Sequence, residues 1–336
     1  MSEIITQDLL RACVGEWLAA GKTVAGPKQV KWNRVLYTHL EKPEDLLLDV
    51  EERPVNSIKE FFFPKHEKLY GFKIEGNEVR LIEMANALAP QLIIGGRACD
   101  AAALPILDRV FNWDYKDSQY NARRTATTIV TIACTTHDDA CFCTSVGLAP
   151  AAERGSDALL LPFGDGNYEV RCLTEKGKAL FTGKTTLSDK TATAYAGPER
   201  KIDAAKVGAF ARDHFEDPFW AEQTLACLGC GICAYDCPTC HCFDIVDEGN
   251  ALGGYRARNW DSCQYPVFTV HASGHNPRGS QPSRQRQRIF HKFYIYPEKF
   301  GETLCTGCGN CTRNCPAGLG VLGVAEKIGP TEMSHG

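Results

Sequence analysis

The chain has 336 residues, 17 of them cysteine, and a formal net charge of −4. That length supports two domains with hydrophobic cores of their own, so disulfides are not needed to hold the fold. The mild negative charge argues against a general affinity for nucleic acid or acidic membranes, and no apolar run is long enough to span a bilayer.

The opening MSEIITQDLL lacks the basic start and apolar stretch of a secretory signal. The expected location is therefore cytoplasmic, where thiols stay reduced and dense cysteine serves metal or redox chemistry. In TQDLLRACVGEWLAAG the apolar residues Leu9, Leu10, Cys13, Val14, Trp17 and Leu18 form one helical face, with Gly21 as its stop and Cys13 as a buried hydrophobe. QLIIGG reads as a buried strand followed by a helix through ACDAAALPILDRVF, and TTIVTIAC reads as a second strand. DALLLPF and YEVRCL flank GDGN as a hairpin, with Cys172 in its second strand, and TEKGKALF begins a helix.

Cysteine usage changes near DHFEDPFWAE. Before residue 220 it is sparse; from Cys227 onward eleven appear. The expected organisation is α+β: a mixed α/β domain over residues 1–219, then a ferredoxin-like domain of the bacterial two-cluster type over 220–336. An insert over about 244–300 separates the two cysteine motifs of that second domain.

Each motif fits C-x2-C-x2-C-x3-C-P. The first has Cys227, Cys230, Cys233, Cys237 and Pro238; the second has Cys305, Cys308, Cys311, Cys315 and Pro316. Three thiolates two residues apart wrap one face of a four-iron cubane, and the fourth points away toward a second cluster. The ligation expected for two [4Fe–4S] clusters crosses over: Cys227, Cys230, Cys233 and Cys315 for one, Cys305, Cys308, Cys311 and Cys237 for the other. Gly229, Gly231, Gly307 and Gly309 allow the tight turns that bring amides toward sulfur. A zinc ribbon explains neither the third cysteine nor the proline. The C-x3-C-x2-C spacing of Cys233, Cys237 and Cys240 matches a radical-chemistry motif, but that reading strands Cys227 and Cys230.

The insert carries Arg278, Arg284, Arg286 and Arg288, which three readings fit: a nucleic-acid patch, a solvated face, or charges that neutralise clusters or dock an acidic subunit. Cys240, Cys242 and Cys263 are either packing thiols or a further metal or redox group.

Beyond the motifs, the segments FFFPKHEKLYGF, GGRACDAAALPILDRVF, ACTTHDDACFCTSVG, CPTCHCFDIVDE, WDSC and GHNPR with RQRIFHKF run along most of the chain. In combination they resemble the iron–sulfur β subunit of cytosolic sulfhydrogenase-type [NiFe] hydrogenases and the corresponding iron–sulfur subunit of anaerobic sulfite reductase. The resemblance implies an electron-transfer subunit. It would relay single electrons between a catalytic subunit of hydrogenase or sulfite/sulfur reductase type and a flavin/NAD(P)-binding reductase subunit. No complete catalytic site is then expected on this chain alone.

The resemblance also draws attention to Cys99, Cys134, Cys141 and Cys143, in RACD, IACTT and CFC. Cys99 follows one expected strand and Cys134 ends another. If those strands are parallel neighbours, the four thiols converge at one sheet edge, the right set for a third [4Fe–4S] cluster or for zinc. His137, Asp138 and Asp139 read as a polar loop around that site. No G-x-G-x-x-G or phosphate-loop lysine follows LIIGG, so no flavin or nicotinamide is expected here. The alternative reading of the whole is a zinc-thiolate interaction or nucleic-acid-binding module.

Overall fold

The structure, a computed structural model, describes residues 1–48, 53–83, 88–193, 195–199 and 202–329. Its N-terminal part is built on an eight-stranded sheet. In chain order the strands are β1 (Ser2–Thr6), β2 (Thr23–Val30), β3 (Arg34–His39), β6 (Gln91–Arg97), β7 (Thr127–Ile132), β8 (Ala158–Pro162), β9 (Asn167–Cys172) and β10 (Thr186–Ser188). Between β3 and β6 the chain leaves for a second sheet with β4 (His66–Glu75) and β5 (Glu78–Glu83). The spatial order in the large sheet is β10-β1-β9-β8-β7-β6-β2-β3, with β2, β6, β7 and β8 parallel and the outer strands antiparallel.

Helices cover both faces of this sheet, as a parallel sheet requires. On one face α1 (Gln7–Ala19) and α4 (Glu175–Phe181) pack Leu10, Cys13, Val14, Trp17 and Phe181 against Val24, Leu92, Val130 and Leu160. The side chain of Thr6 caps α1, and Gly21, at φ +76°, follows its end. On the other face α2 (Ala98–Phe111) and α3 (Ser118–Ala126) pack Leu104, Leu107, Phe111 and Tyr120 around Ile93, Ile129 and Tyr37. The expected hairpin forms, with Ala158 opposite Cys172.

The β2–β6 ladder extends only from Thr23–Ala25 to Gln91–Ile93. Beyond it Pro27 has no N–H to donate, and Gly95, at φ +83°, carries a bulge that lies against the Pro27 ring. The sheet opens there into a crevice lined by Pro27, Val35, Arg97, Thr135 and Thr136.

The cysteine-rich part contributes α5 (Ala204–Asp213), α6 (Phe219–Thr224), α7 (Ile232–Tyr235), the hairpin β11 (Phe243–Asn250) and β12 (Gly253–Trp260), α8 (Gln281–Phe290), α9 (Tyr296–Phe300), α10 (Asn310–Arg313) and α11 (Val321–Ile328). A π-helical turn at His291–Ile295 joins α8 to α9. The second sheet has the order β11-β12-β4-β5, so strands from before and after residue 220 share one ladder. Arg258 of β12 is buried between Glu67 of β4 and Asp117 at the start of α3, an ion triad across the same seam. A separate core joins Val207, Trp220, Ile289, Phe293, Val321 and Leu322, and Phe142 from the N-terminal part is buried in it. Among the described residues no helix is long and apolar enough to cross a membrane.

Candidate iron–sulfur centres

The two motif loops fold as conformational copies. Gly229 and Gly307 have φ of 63° and 62°, and Gly231 and Gly309 have 77° and 78°, each of the latter opening a short helix, α7 or α10. Identical spacing with glycine at the same places therefore dictates the same backbone path. Cys227, Cys230 and Cys233 line one hollow, and Cys315 from the other motif completes its wall. Cys237 and Cys311 are each close enough to perturb both Cys305 and Cys308 electrostatically.

Cys99 opens α2, Cys134 lies two residues beyond β7, and Cys141 and Cys143 follow on the next loop. β6 and β7 are parallel neighbours, and the four thiols line a second hollow together with Arg53, Gly307 and Cys308. This loop is held against the second motif: Phe142 N–H donates to Gly307 C=O at 2.9 Å, and a Cβ on Gly307 would lie 2.5 Å from the Cys143 backbone. Gly309 meets Ala140 in the same way. These glycines serve a close approach between two loops as well as the turn itself.

The three thiol groups stand in a row. Cys308 neighbours Cys99 on one side, and Cys311 neighbours Cys233 on the other. Burial pushes Cys143 and Cys305 up to about 11 and Cys233 up to about 12, and raises Cys99 and Cys308 well above the ordinary thiol range. Such thiols ionise when a cation takes the proton's place. Cys237 goes the other way: a hydrogen bond from Cys240 and the ammonium of Lys292 hold it well below the ordinary thiol range despite burial.

Cationic donors gather on the N-terminal thiols and thin out along the row. Arg97 donates to Cys134 Sγ at 3.6 Å and Arg313 to Cys141 Sγ at 3.7 Å. Arg53 lies near Cys141, Cys134 and Cys99, and their charge more than offsets the cost of burying its guanidinium. Asp138 is gripped by Arg313 at 2.6 and 2.9 Å and lies 3.8 Å from Arg53; burial opposes its ionisation, and these two arginines hold it well below the usual carboxylate range. His137 also lines this hollow. In the middle, buried Lys292 donates to Cys237 Sγ at 3.3 Å from the π-helical turn, and buried Lys59 donates to the carbonyls of Ala234 and Cys240, each at 3.0 Å. Cys227 receives a neutral amide, Gln281 Nε2, at 3.2 Å. Backbone N–H groups of Gly307, Leu319 and Val321 face the sulfurs of Cys305, Cys315 and Cys311.

The arginine tract is not an open basic surface. Arg284 and Arg288 are buried: Arg284 ties the carbonyls of Arg278 and Gly279, and Arg288 reaches Cys233 C=O at 3.3 Å among the thiols. Arg286 stacks on Phe215 and pairs with Glu216. Sequence reasoning missed Arg53, Arg97, Arg313, Lys59 and Lys292. Arg97, two residues before Cys99, and Arg313, between Cys311 and Cys315, stood within cysteine-bearing segments, although each donates to a thiol elsewhere; Arg53, Lys59 and Lys292 lie in no such segment. Cys240 is buried against Cys237, and Cys242 lies beside Cys263.

Among the described residues no group of three or more His, Cys, Asp or Glu side chains could hold a single metal ion. Four thiols around a shared hollow suit a polynuclear core instead, because each thiolate bonds a different iron.

Residues 226–319 match the family model of a 4Fe-4S dicluster domain, which gives this part of the chain two [4Fe–4S] clusters. The chain is 30% identical over 298 residues to sulfhydrogenase 2 subunit beta of Pyrococcus furiosus, covering 85% of this chain and 86% of that one. No solved structure matches the chain. With the dicluster match and this likeness running along most of both chains, the protein belongs to the iron–sulfur β-subunit family of sulfhydrogenases.

Proposed function

We propose that this chain is the electron-transfer subunit of a multisubunit oxidoreductase, carrying three [4Fe–4S] clusters in line. The N-terminal one is held by Cys99, Cys134, Cys141 and Cys143, the middle one by Cys305, Cys308, Cys311 and Cys237, and the last by Cys227, Cys230, Cys233 and Cys315. The observation that carries this reading is a row of three thiol groups, two of them around hollows, with Cys308 beside Cys99 at one junction and Cys311 beside Cys233 at the other.

When bound, such clusters accept and release single electrons at potentials set by charge, hydrogen bonding and exposure of the sulfurs. The chain's own residues set those conditions. Buried Arg288 and Lys292 and the half-buried Arg53, Arg97 and Arg313 offset negative charge, and the N–H donors aimed at sulfur stabilise the reduced state. The packed core around Phe142, Phe293 and Val321 keeps the spacing fixed.

The row has two distinct ends. Cys230 is exposed beside Leu225 and Leu228, themselves 86% and 72% exposed, which suits contact with another subunit. The N-terminal end borders the sheet crevice, with Thr136 lining both. The partners proposed are a catalytic subunit of the hydrogenase or sulfite/sulfur reductase type and a flavin/NAD(P)-binding reductase subunit.

The test is iron and sulfide analysis of anaerobically purified protein with electron paramagnetic resonance after stepwise reduction. Three occupied cages give about twelve irons per chain and interacting signals. About eight irons confines the row to the dicluster part, and a colourless zinc protein overturns the reading.

A further inference from the structure

Two cysteines outside the three cages meet at the root of the β11–β12 hairpin. Cys242 immediately precedes β11, and Cys263 lies three residues beyond β12. The ladder that pairs Phe243 with Trp260 continues one step, through Asp261 N–H to Cys242 C=O at 3.0 Å, and the chain then turns Cys263 back toward Cys242. The two thiols lie near enough to perturb each other's ionisation. Both residues retain partial solvent exposure.

The surroundings of this pair are polar and directed. Gln264 Nε2 donates to Cys263 Sγ at 3.5 Å and is fixed by a second bond to Arg284 C=O at 3.1 Å. Gln264 is 1% exposed, and its Oε1 accepts from Gln281 Nε2 at 3.1 Å, the amide that donates to Cys227 Sγ. A line of side-chain amides thus runs from the thiol pair to a cysteine of the last cage. A thiol that only fills space is set differently: Cys13 is 1% exposed among Leu10, Val14 and Trp17.

We propose that Cys242 and Cys263 form a redox-active dithiol, oxidised to a disulfide by exchange with a low-molecular-weight disulfide. The Cys263 thiolate attacks one sulfur of the incoming disulfide, breaks its S–S bond and releases one thiol, leaving a mixed disulfide on Cys263. The Cys242 thiolate then attacks Cys263 Sγ, forms the internal S–S bond and releases the second thiol. The pair gives up two electrons and two protons, and the substrate disulfide takes them up as two thiols. Because the hairpin root already brings the two residues together, closing the bond requires little backbone movement. The hydrogen bond that Gln264 offers to Cys263 Sγ stabilises the reduced thiolate.

The test uses full-length, cluster-bearing protein under nitrogen, equilibrated with mixtures of reduced and oxidised glutathione, acid-quenched, alkylated and read by tandem mass spectrometry. The expected result is a Cys242–Cys263 cross-linked peptide that rises and falls reversibly with the glutathione ratio while visible cluster absorbance stays constant. In Cys242→Ser the expected product is glutathione trapped on Cys263, with iron content unchanged. Gln264→Leu should shift the half-oxidation ratio several-fold toward the disulfide. Alkylation of both thiols at every ratio would overturn the proposal. So would a cross-link that appears only as absorbance bleaches, or iron loss in Cys242→Ser, because either marks the pair as part of a cluster site.

Discussion

The cage formed by Cys227, Cys230, Cys233 and Cys315 and the one formed by Cys99, Cys134, Cys141 and Cys143 reach the same number of thiols by opposite routes. The first takes three from one seven-residue loop whose glycines preset the path, and its named side-chain donor is the neutral amide of Gln281. The second assembles a helix start, a strand end and a loop, then closes them against Gly307 and Cys308, with Arg97 and Arg313 donating to sulfur. A local site depends on chain stiffness; an assembled one depends on everything that keeps two loops together. The assembled site also lies in the more positive field, so it should be the easier to reduce.

The largest expected effect separates the two outright. Cys134→Ser should remove about four irons and the N-terminal signal while leaving the dicluster signals in place, as metal analysis and paramagnetic resonance would report. Loss of all signals together would break the comparison, making the cages one cooperative unit.

Acid should act on the segment between the motifs. Burial lowers His241 to about 4 and His291 to about 3, with the charge of Lys292 adding to both. The unfolded chain takes up these protons near the ordinary histidine value of about 6.5, whereas the folded chain does not. Stability is therefore fully present above that value and falls as pH drops through the window, by about 1.4 kcal/mol per pH unit for each histidine. Denaturant midpoints measured from pH 7.5 to 5 check this, and His291→Gln should flatten the slope.

Gly307→Ala adds a Cβ against the Cys143 backbone at a positive φ. It should cost about 1–3 kcal/mol in thermal or chemical unfolding and disturb the N-terminal and middle cages while sparing the one at Cys227. Smaller still are the sulfur donors. Arg97→Met removes a charged donor and should lower the N-terminal potential by on the order of 60 mV, and Gln281→Leu should lower the last by about 30 mV. Redox titration followed by paramagnetic resonance distinguishes them, and equal shifts would erase the contrast between the two environments.

Much of this was legible in the chain. The periodicity around Cys13 gave α1, the apolar runs gave β6 and β7, GDGN gave the β8–β9 hairpin, and the repeated spacing gave two loops with matching dihedrals. The arginines were harder. Arg278, Arg284, Arg286 and Arg288 read as a basic tract, yet Arg284 and Arg288 point inward, because carbonyls and thiols there need donors that the backbone cannot supply. Lys292 could not be assigned by counting along an α-helix, since the π-helical turn shifts its direction.

The amino-acid order by itself settled what is local: which segments are helix or strand, and how each C-x2-C-x2-C loop bends around its hollow. These depend on φ preferences and on neighbours a few residues away. The fold alone decided what meets across long separations: Cys99 with Cys143, Gly307 against the Cys143 backbone, Arg313 on Asp138, β12 beside β4, and Cys242 beside Cys263. Those contacts arise from burying two faces of a sheet and one helical core together, a condition satisfied by the whole chain and written in no single stretch of it.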